Sequence, residues 1–295
     1  MATAPSPLLR RQRTWILISL GLLSALAWAV VLWQARGMDD QSMGLTMGMD
    51  AALFLGVWVA MMMAMMFPAA APMIVVFAQI QAGKRRLGQT AVPLWLFTGT
   101  YLALWAVVGV AAYGAALGAQ QLGDRVSWLA GNGPRLGGLL LIAAGLYQLT
   151  PLKRACLAKC RSPLAFLMTS WRDGPAGAVR MGLSHGLYCL GCCWLFFAIL
   201  FPLGMMNIAA LAVITLLIFG EKALPLGDRL SWLAAAVLIA YGVAVLLSPG
   251  LLPMQPPQQM QRDGRRAVAD VSPSPREVER AGDPLGDRTG VPPAD

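Results

Sequence analysis

One apolar run of the chain contains His185-Gly186-Leu187-Tyr188-Cys189-Leu190-Gly191-Cys192-Cys193-Trp194, and with it the only histidine and three of the five cysteines. On a helix turning about 100° per residue, Met181, His185, Cys189 and Cys192 fall in one stripe, with Cys193 at its edge. An imidazole, thiols and a thioether facing one way form a soft to borderline donor set, the kind that suits Cu(I). Taken singly, each has an ordinary explanation: cysteine packs as a small hydrophobe, and a lone histidine finds a neighbouring carbonyl. As a group inside a membrane-length segment they point to a bound metal or to thiol chemistry, because an ionisable residue there is costly to keep. From His185 to Cys192 is about 10 Å along the axis, which puts the thiols near mid-bilayer.

Three further stretches carry related chemistry. Met61, Met62, Met65 and Met66 lie one turn apart in pairs and make a broad sulfur face; Pro68 and Pro72 follow, each removing a helix hydrogen bond and freeing a carbonyl. Packing alone explains a methionine stripe, so its interest comes from the cysteine segment it would face. Cys156 and Cys160 share one face if their segment is helical, and Lys153, Arg154, Lys159 and Arg161 around them favour the thiolate, as in a metal-exchange pair on the cytoplasmic side. The loop from Met38 to Asp50 mixes four methionines with three aspartates, a composition suited to metal capture or to simple folding-back of the loop. Glu221 is the sole carboxylate close to the buried spans, expected to pair with Lys222 or an arginine, or to orient His185.

The elements that position these residues are apolar helices. With 57% hydrophobic and 13% charged residues, the chain reads as an all-α polytopic membrane protein. Apolar segments run from about Thr14 to Trp33, Ala51 to Ile80, Ala91 to Leu117, Leu136 to Thr150, Met181 to Pro202, Met206 to Gly220 and Leu230 to Leu247. That makes about seven transmembrane helices, the fourth expected to start near Val126. Gly182 and Gly186 give the cysteine segment a small face for a close neighbour, expected to be the methionine segment. Basic clusters follow the second, fourth and sixth segments and precede the first, while the other loops hold only Arg36, Arg125 and Arg135; this places the N-terminus in the cytoplasm. The expected organisation is a cytoplasmic segment 1–13, a membrane domain 14–249 and a disordered polar tail 250–295. The net charge of +9 is spent on these orienting clusters, which disfavours nucleic acid as a partner. Neither a paired carboxylate site, a Ser-His-acid set nor a phosphate-binding glycine loop is evident.

Trp58 with Ala60-Met61-Met62-Met63-Ala64-Met65-Met66-Phe67-Pro68, the run Tyr147-Gln148-Leu149-Thr150-Pro151-Leu152-Lys153 continuing to Cys156 and Cys160, the segment Gly186 to Trp194, and Glu221-Lys222 with Pro225 together resemble the bacterial domain-of-unknown-function family 2182 of metal-binding integral membrane proteins. The resemblance implies membrane location and metal binding, and carries no settled activity; the first helix and the tail lie outside it. The leading expectation is a multi-pass inner-membrane protein that binds Cu(I) for transport or delivery, with Zn less suited because thioethers are poor partners for it. Its ligands would be His185, Cys189, Cys192 and Cys193, with Met61, Met62, Met65 and Met66 from a facing helix and Cys156 and Cys160 in exchange. Lipid, the metal, and a metallochaperone or a second copy are the expected partners. A membrane thiol-disulfide oxidoreductase and a non-catalytic assembly scaffold are the alternatives.

Overall fold

The computed structural model describes residues 7–37, 45–46 and 48–252. Met38, Asp39, Asp40, Met43 and Met47 of the methionine loop, and the polar tail after Leu252, lie outside the described residues. Among the described residues every regular element is a helix. The order is α1 (Pro7–Arg36), α2 (Ala51–Arg86), α3 (Leu94–Arg125), α4 (Ser127–Gly131), α5 (Gly133–Gln148), α6 (Pro151–Arg161), α7 (Pro163–Ser170), α8 (Gly174–Ala198), α9 (Leu200–Leu203), α10 (Ile208–Ala223) and α11 (Gly227–Leu247).

Each apolar segment becomes a helix, but the count of seven spans is refined. Five stretches are long and apolar enough to cross a membrane by themselves, namely α1, α2, α3, α8 continued by α9, and α11. A sixth is the pair α5 and α6, bent by 63° where they meet. The 16 residues of α10 reach about 24 Å, short of a hydrocarbon core of about 30 Å. The fourth apolar helix begins at Gly133 and not near Val126. Val126 is extended and ends α3, and Gly131-Asn132-Gly133-Pro134 supplies glycines and a proline that start a new helix.

Two exposed ion pairs join helix ends. Lys84 pairs with Asp173 and lies 5.3 Å over the Trp171 ring, which joins the end of α2 to the start of α8, and Arg161 pairs with Asp228 at 2.7 Å, which joins the end of α6 to the start of α11. Lys84 and the Trp171 indole hold the Asp173 carboxyl below the usual carboxylate range. Such exposed pairs contribute little stability and serve mainly to orient the helix ends they join. Glycine sets a close approach between α5 and α11: a side chain at Gly145 would come within 2.9 Å of the Ala235 carbonyl, and one at Gly138 within 3.0 Å of the Gly242 carbonyl.

Asp50 starts α2 by accepting from the Leu53 amide at 2.8 Å, and Lys84, Arg85 and Arg86 end it with charge suited to the helix C-terminus. Between them Pro68 cannot donate to the Ala64 carbonyl. In lipid that carbonyl must find another donor, and the buried Ser24 of α1 donates to it at 2.8 Å. The freed carbonyl is therefore consumed by α1 and does not line a pocket beside the sulfurs. Trp58 settles the N-terminal half of α2 in a similar way: its indole lies on Gly109 of α3 and donates to the Trp105 carbonyl at 2.9 Å.

This pairing predicts a coupling. Ser24→Ala should destabilise by about 1–2 kcal/mol by orphaning the Ala64 carbonyl, whereas in a Pro68→Ala background, where residue 68 can donate to that carbonyl, the same change should cost markedly less. A double-mutant cycle by thermal unfolding in detergent reads the difference, and additive effects would show that Ser24 does not serve the proline site.

Candidate metal centre

The stripe read from the sequence is the inward face of α8. Met181, Gly182, His185, Gly186, Cys189, Cys192 and Cys193 are all buried, while Leu183, Leu187 and Trp194 are exposed on the other side. The glycine face seats α3, not α2. A side chain at Gly182 would strike the Phe97 carbonyl, and one at Gly186 would strike Leu104. An aromatic-rich helix needs this close approach to lay its rings on α8, whereas the long methionines of α2 reach the site from further away. Met61, Met62, Met65 and Met66 are all fully buried, and Met66 is the one whose sulfur is placed against a thiol, 3.8 Å from Cys189 Sγ.

Cys189 is the centre of the arrangement. Its sulfur lies 2.9 Å from Lys222 Nζ at the end of α10 and 3.1 Å from the Tyr101 hydroxyl of α3. Cys160 of α6 is buried in the same core, within electrostatic reach of the Cys189 and Cys192 thiols. The Cys192 and Cys193 thiols donate to the Cys189 carbonyl at 3.1 and 2.7 Å. The chain therefore brings together four cysteines from two separated segments, one methionine and one ammonium.

The second cysteine segment does not lie out in a loop. It forms α6, started by Thr150, whose hydroxyl accepts from the Lys153 amide at 3.2 Å, and by Pro151. Lys153, Leu157 and Cys160, spaced four and three residues apart, form its buried face. Cys160 is thereby carried to α8. Half-buried Cys156 abuts Gly191, where a side chain would come within 2.7 Å of its sulfur, and Tyr147 donates to the Gly191 carbonyl. Cys156 and Cys160 thus both lie on the side of α6 toward α8.

His185 sits in an aromatic box. Its ring stacks on Tyr101 at 5.5 Å and Phe97 at 6.1 Å, with Phe166 tilted against it at 5.8 Å. Neither ring nitrogen has a hydrogen-bond partner among the described residues. Glu221 does not orient it and does not pair with Lys222: both carboxylate oxygens accept from Lys153, at 2.7 and 2.8 Å, and Ser231 donates to one of them at 3.0 Å. Lys153 also lies 4.8 Å over the Phe196 ring. This fully buried pair ties α6 to α10 and α11, and leaves Lys222 to the sulfur.

No three His, Cys, Asp or Glu side chains among the described residues already converge as a metal ligand set. The reason is local: Cys192 and Cys193 are turned onto a carbonyl, and His185 is held among rings. The donors near Cys189 are thiol and thioether, which fit a soft monovalent cargo better than a closed structural Zn site of Cys and His.

A family model described as PpoB2, copper chaperone, matches residues 55–245, well over half of the chain. The chain belongs to this copper chaperone family. No curated protein and no solved structure matches it. The matched part of the copper chaperone family runs from within α2 to within the last turn of α11, so it contains all ten residues read as candidate ligands and leaves out α1. A copper-related role and membrane-length helices thus coincide, although the motif resemblance itself promised only metal binding. Sequence reasoning missed Tyr101 and Lys222 as neighbours of Cys189, and Lys153 as the partner of Glu221. The available signal was a charged pair, Glu221-Lys222, at the end of an apolar helix, where each charge needs its own buried partner.

The buried pair predicts an asymmetric response. Lys153→Met leaves the Glu221 carboxylate uncompensated and should cost about 3–5 kcal/mol, whereas Lys153→Met with Glu221→Leu should recover most of that loss. Thermal unfolding of the purified chain checks it, and a double variant as unstable as the single one would contradict the pairing.

Proposed function

We propose that the chain binds Cu(I) as cargo inside its helix bundle and passes it on, in transport across or delivery at the inner membrane. The observation that carries this reading is a thioether and an ammonium placed on the Cys189 sulfur, with the Cys192 and Cys193 thiols on the same turn, in a chain whose family is copper-related. Cys189 and one of Cys192 and Cys160 would supply thiolates and Met66 a thioether. Cys193 and His185 stand beside them for an expanded set, and Met61, Met62 and Met65 continue the sulfur wall of α2. Cys156, half-buried at the edge of the group, is the thiol by which a partner metallochaperone would exchange cargo.

Charge favours Cu(I). A monovalent ion held by two thiolates carries net charge −1, and Lys222 at 2.9 Å from Cys189 brings the group to zero, which limits the cost of burial in a low dielectric. The thioether adds affinity for the soft ion without adding charge. A thiol-disulfide oxidoreductase is the second reading, favoured by the nearness of Cys160 to Cys189; it gives Met66 and the copper-related family no role.

Copper content of the purified full chain separates them. Cys189→Ser and Met66→Leu should each weaken Cu(I) binding by at least about tenfold, about 1.4 kcal/mol, with helicity unchanged because the second swap conserves apolar volume. Replacing Met61, Met62 and Met65 together by Leu should have a smaller effect. Unchanged copper in the Cys189 variant would overturn the proposal, and unchanged copper in the Met66 variant would remove the thioether and favour the redox reading.

A further inference from the structure

A groove of about 560 Å³ opens on the lipid side of the bundle between α1, α2 and α3, away from the cysteine group. Its walls are apolar along most of their length: Ile16, Leu20 and Leu23 from α1, Phe67, Ile74 and Ala78 from α2, and Leu94 from α3. One end is polar. Gln12 and the exposed Arg85 lie there, and Gln81 is fixed by accepting from the Val92 amide at 3.0 Å. From Gln12 to Leu23 the α1 wall runs about 16 Å at 1.5 Å per residue, which matches one leaflet of a hydrocarbon core about 30 Å thick.

We propose that this groove is a binding site for one anionic glycerophospholipid, with an acyl chain along the apolar walls and its phosphate against Arg85. Four observations choose this occupant. The groove is apolar at one end and cationic at the other, the pattern of an acyl chain and an anionic headgroup. Its length is that of a single leaflet. Trp15 and Trp95 stand exposed on its rim toward the polar end, where indoles sit at headgroup level. Finally, Arg85 itself lines the mouth, and Arg10, Arg11 and Arg13 lie within one turn of Gln12 on α1, so positive charge gathers at the end where an anionic headgroup would sit. Of the three helices, α1 lies outside the residues matched by the copper chaperone family, so the lipid would fill the seam between that core and an added helix. The site does not depend on the copper reading.

Native mass spectrometry of the full chain, released from micelles supplied with equal phosphatidylglycerol and phosphatidylcholine, tests the proposal. Wild type should retain one lipid per chain with phosphatidylglycerol preferred by at least about tenfold, about 1.4 kcal/mol. Arg85→Glu, at an exposed position, should remove the preference while leaving helicity unchanged. Ser19→Trp, which fills the groove from its exposed side, should lower retention of both lipids. No retained lipid in wild type, equal retention of the two lipids, a protein dimer in place of the lipid adduct, or a preference that survives Arg85→Glu would each overturn it; the wild-type comparison stands even where a variant fails to fold.

Discussion

A lysine ammonium 2.9 Å from a cysteine sulfur, among apolar helices, is the contact on which the rest of the arrangement depends. Burying either group alone is expensive, and burying them together is tolerable only if every other charge nearby is also matched. The bundle meets that condition. Glu221, one residue before Lys222, is taken up by Lys153 and Ser231, so the two adjacent charges serve different partners. Without Lys153, Lys222 would have a carboxylate beside it and less reason to reach the thiol. The bend between α5 and α6 follows from the same need, since it turns Lys153 and Cys160 inward on one helical face.

Backbone satisfaction is the matching constraint on α2. A proline in a membrane helix leaves a carbonyl without its donor, and here a serine from the preceding helix supplies one. This fixes α1 against α2 at mid-helix, and the two helices then enclose the apolar groove toward the basic end. Sulfur chemistry and helix packing are thus served by different faces of α2: Met66 meets Cys189, while the Ala64 carbonyl meets Ser24.

Much of this was legible in the sequence, for definite reasons. Hydrophobic runs and the 3.6-residue period located the helices and put His185, Cys189 and Cys192 on one inward face, because both depend only on local spacing. The glycines of the cysteine segment pointed to close approach, but which helix would fill the space did not follow: α3, not the methionine helix, lies on Gly182 and Gly186. Neighbour choice is a property of the whole bundle. The basic flanks of Cys156 and Cys160 suggested a cytoplasmic loop, since Lys153 looks like an orienting charge until its partner Glu221, distant in sequence, is brought to it. Tyr101 escaped notice for the same reason, being an ordinary aromatic until packing aims its hydroxyl at a sulfur.

The central claim is that Cys189 is the heart of a sulfur site for Cu(I). X-ray absorption at the copper edge, on the full chain loaded with Cu(I), tests it most directly. The account predicts a monovalent edge and a first shell of sulfur, with the sulfur contribution reduced in Cys189→Ser. A first shell of nitrogen and oxygen, or a spectrum that Cys189→Ser leaves unaltered, would contradict it.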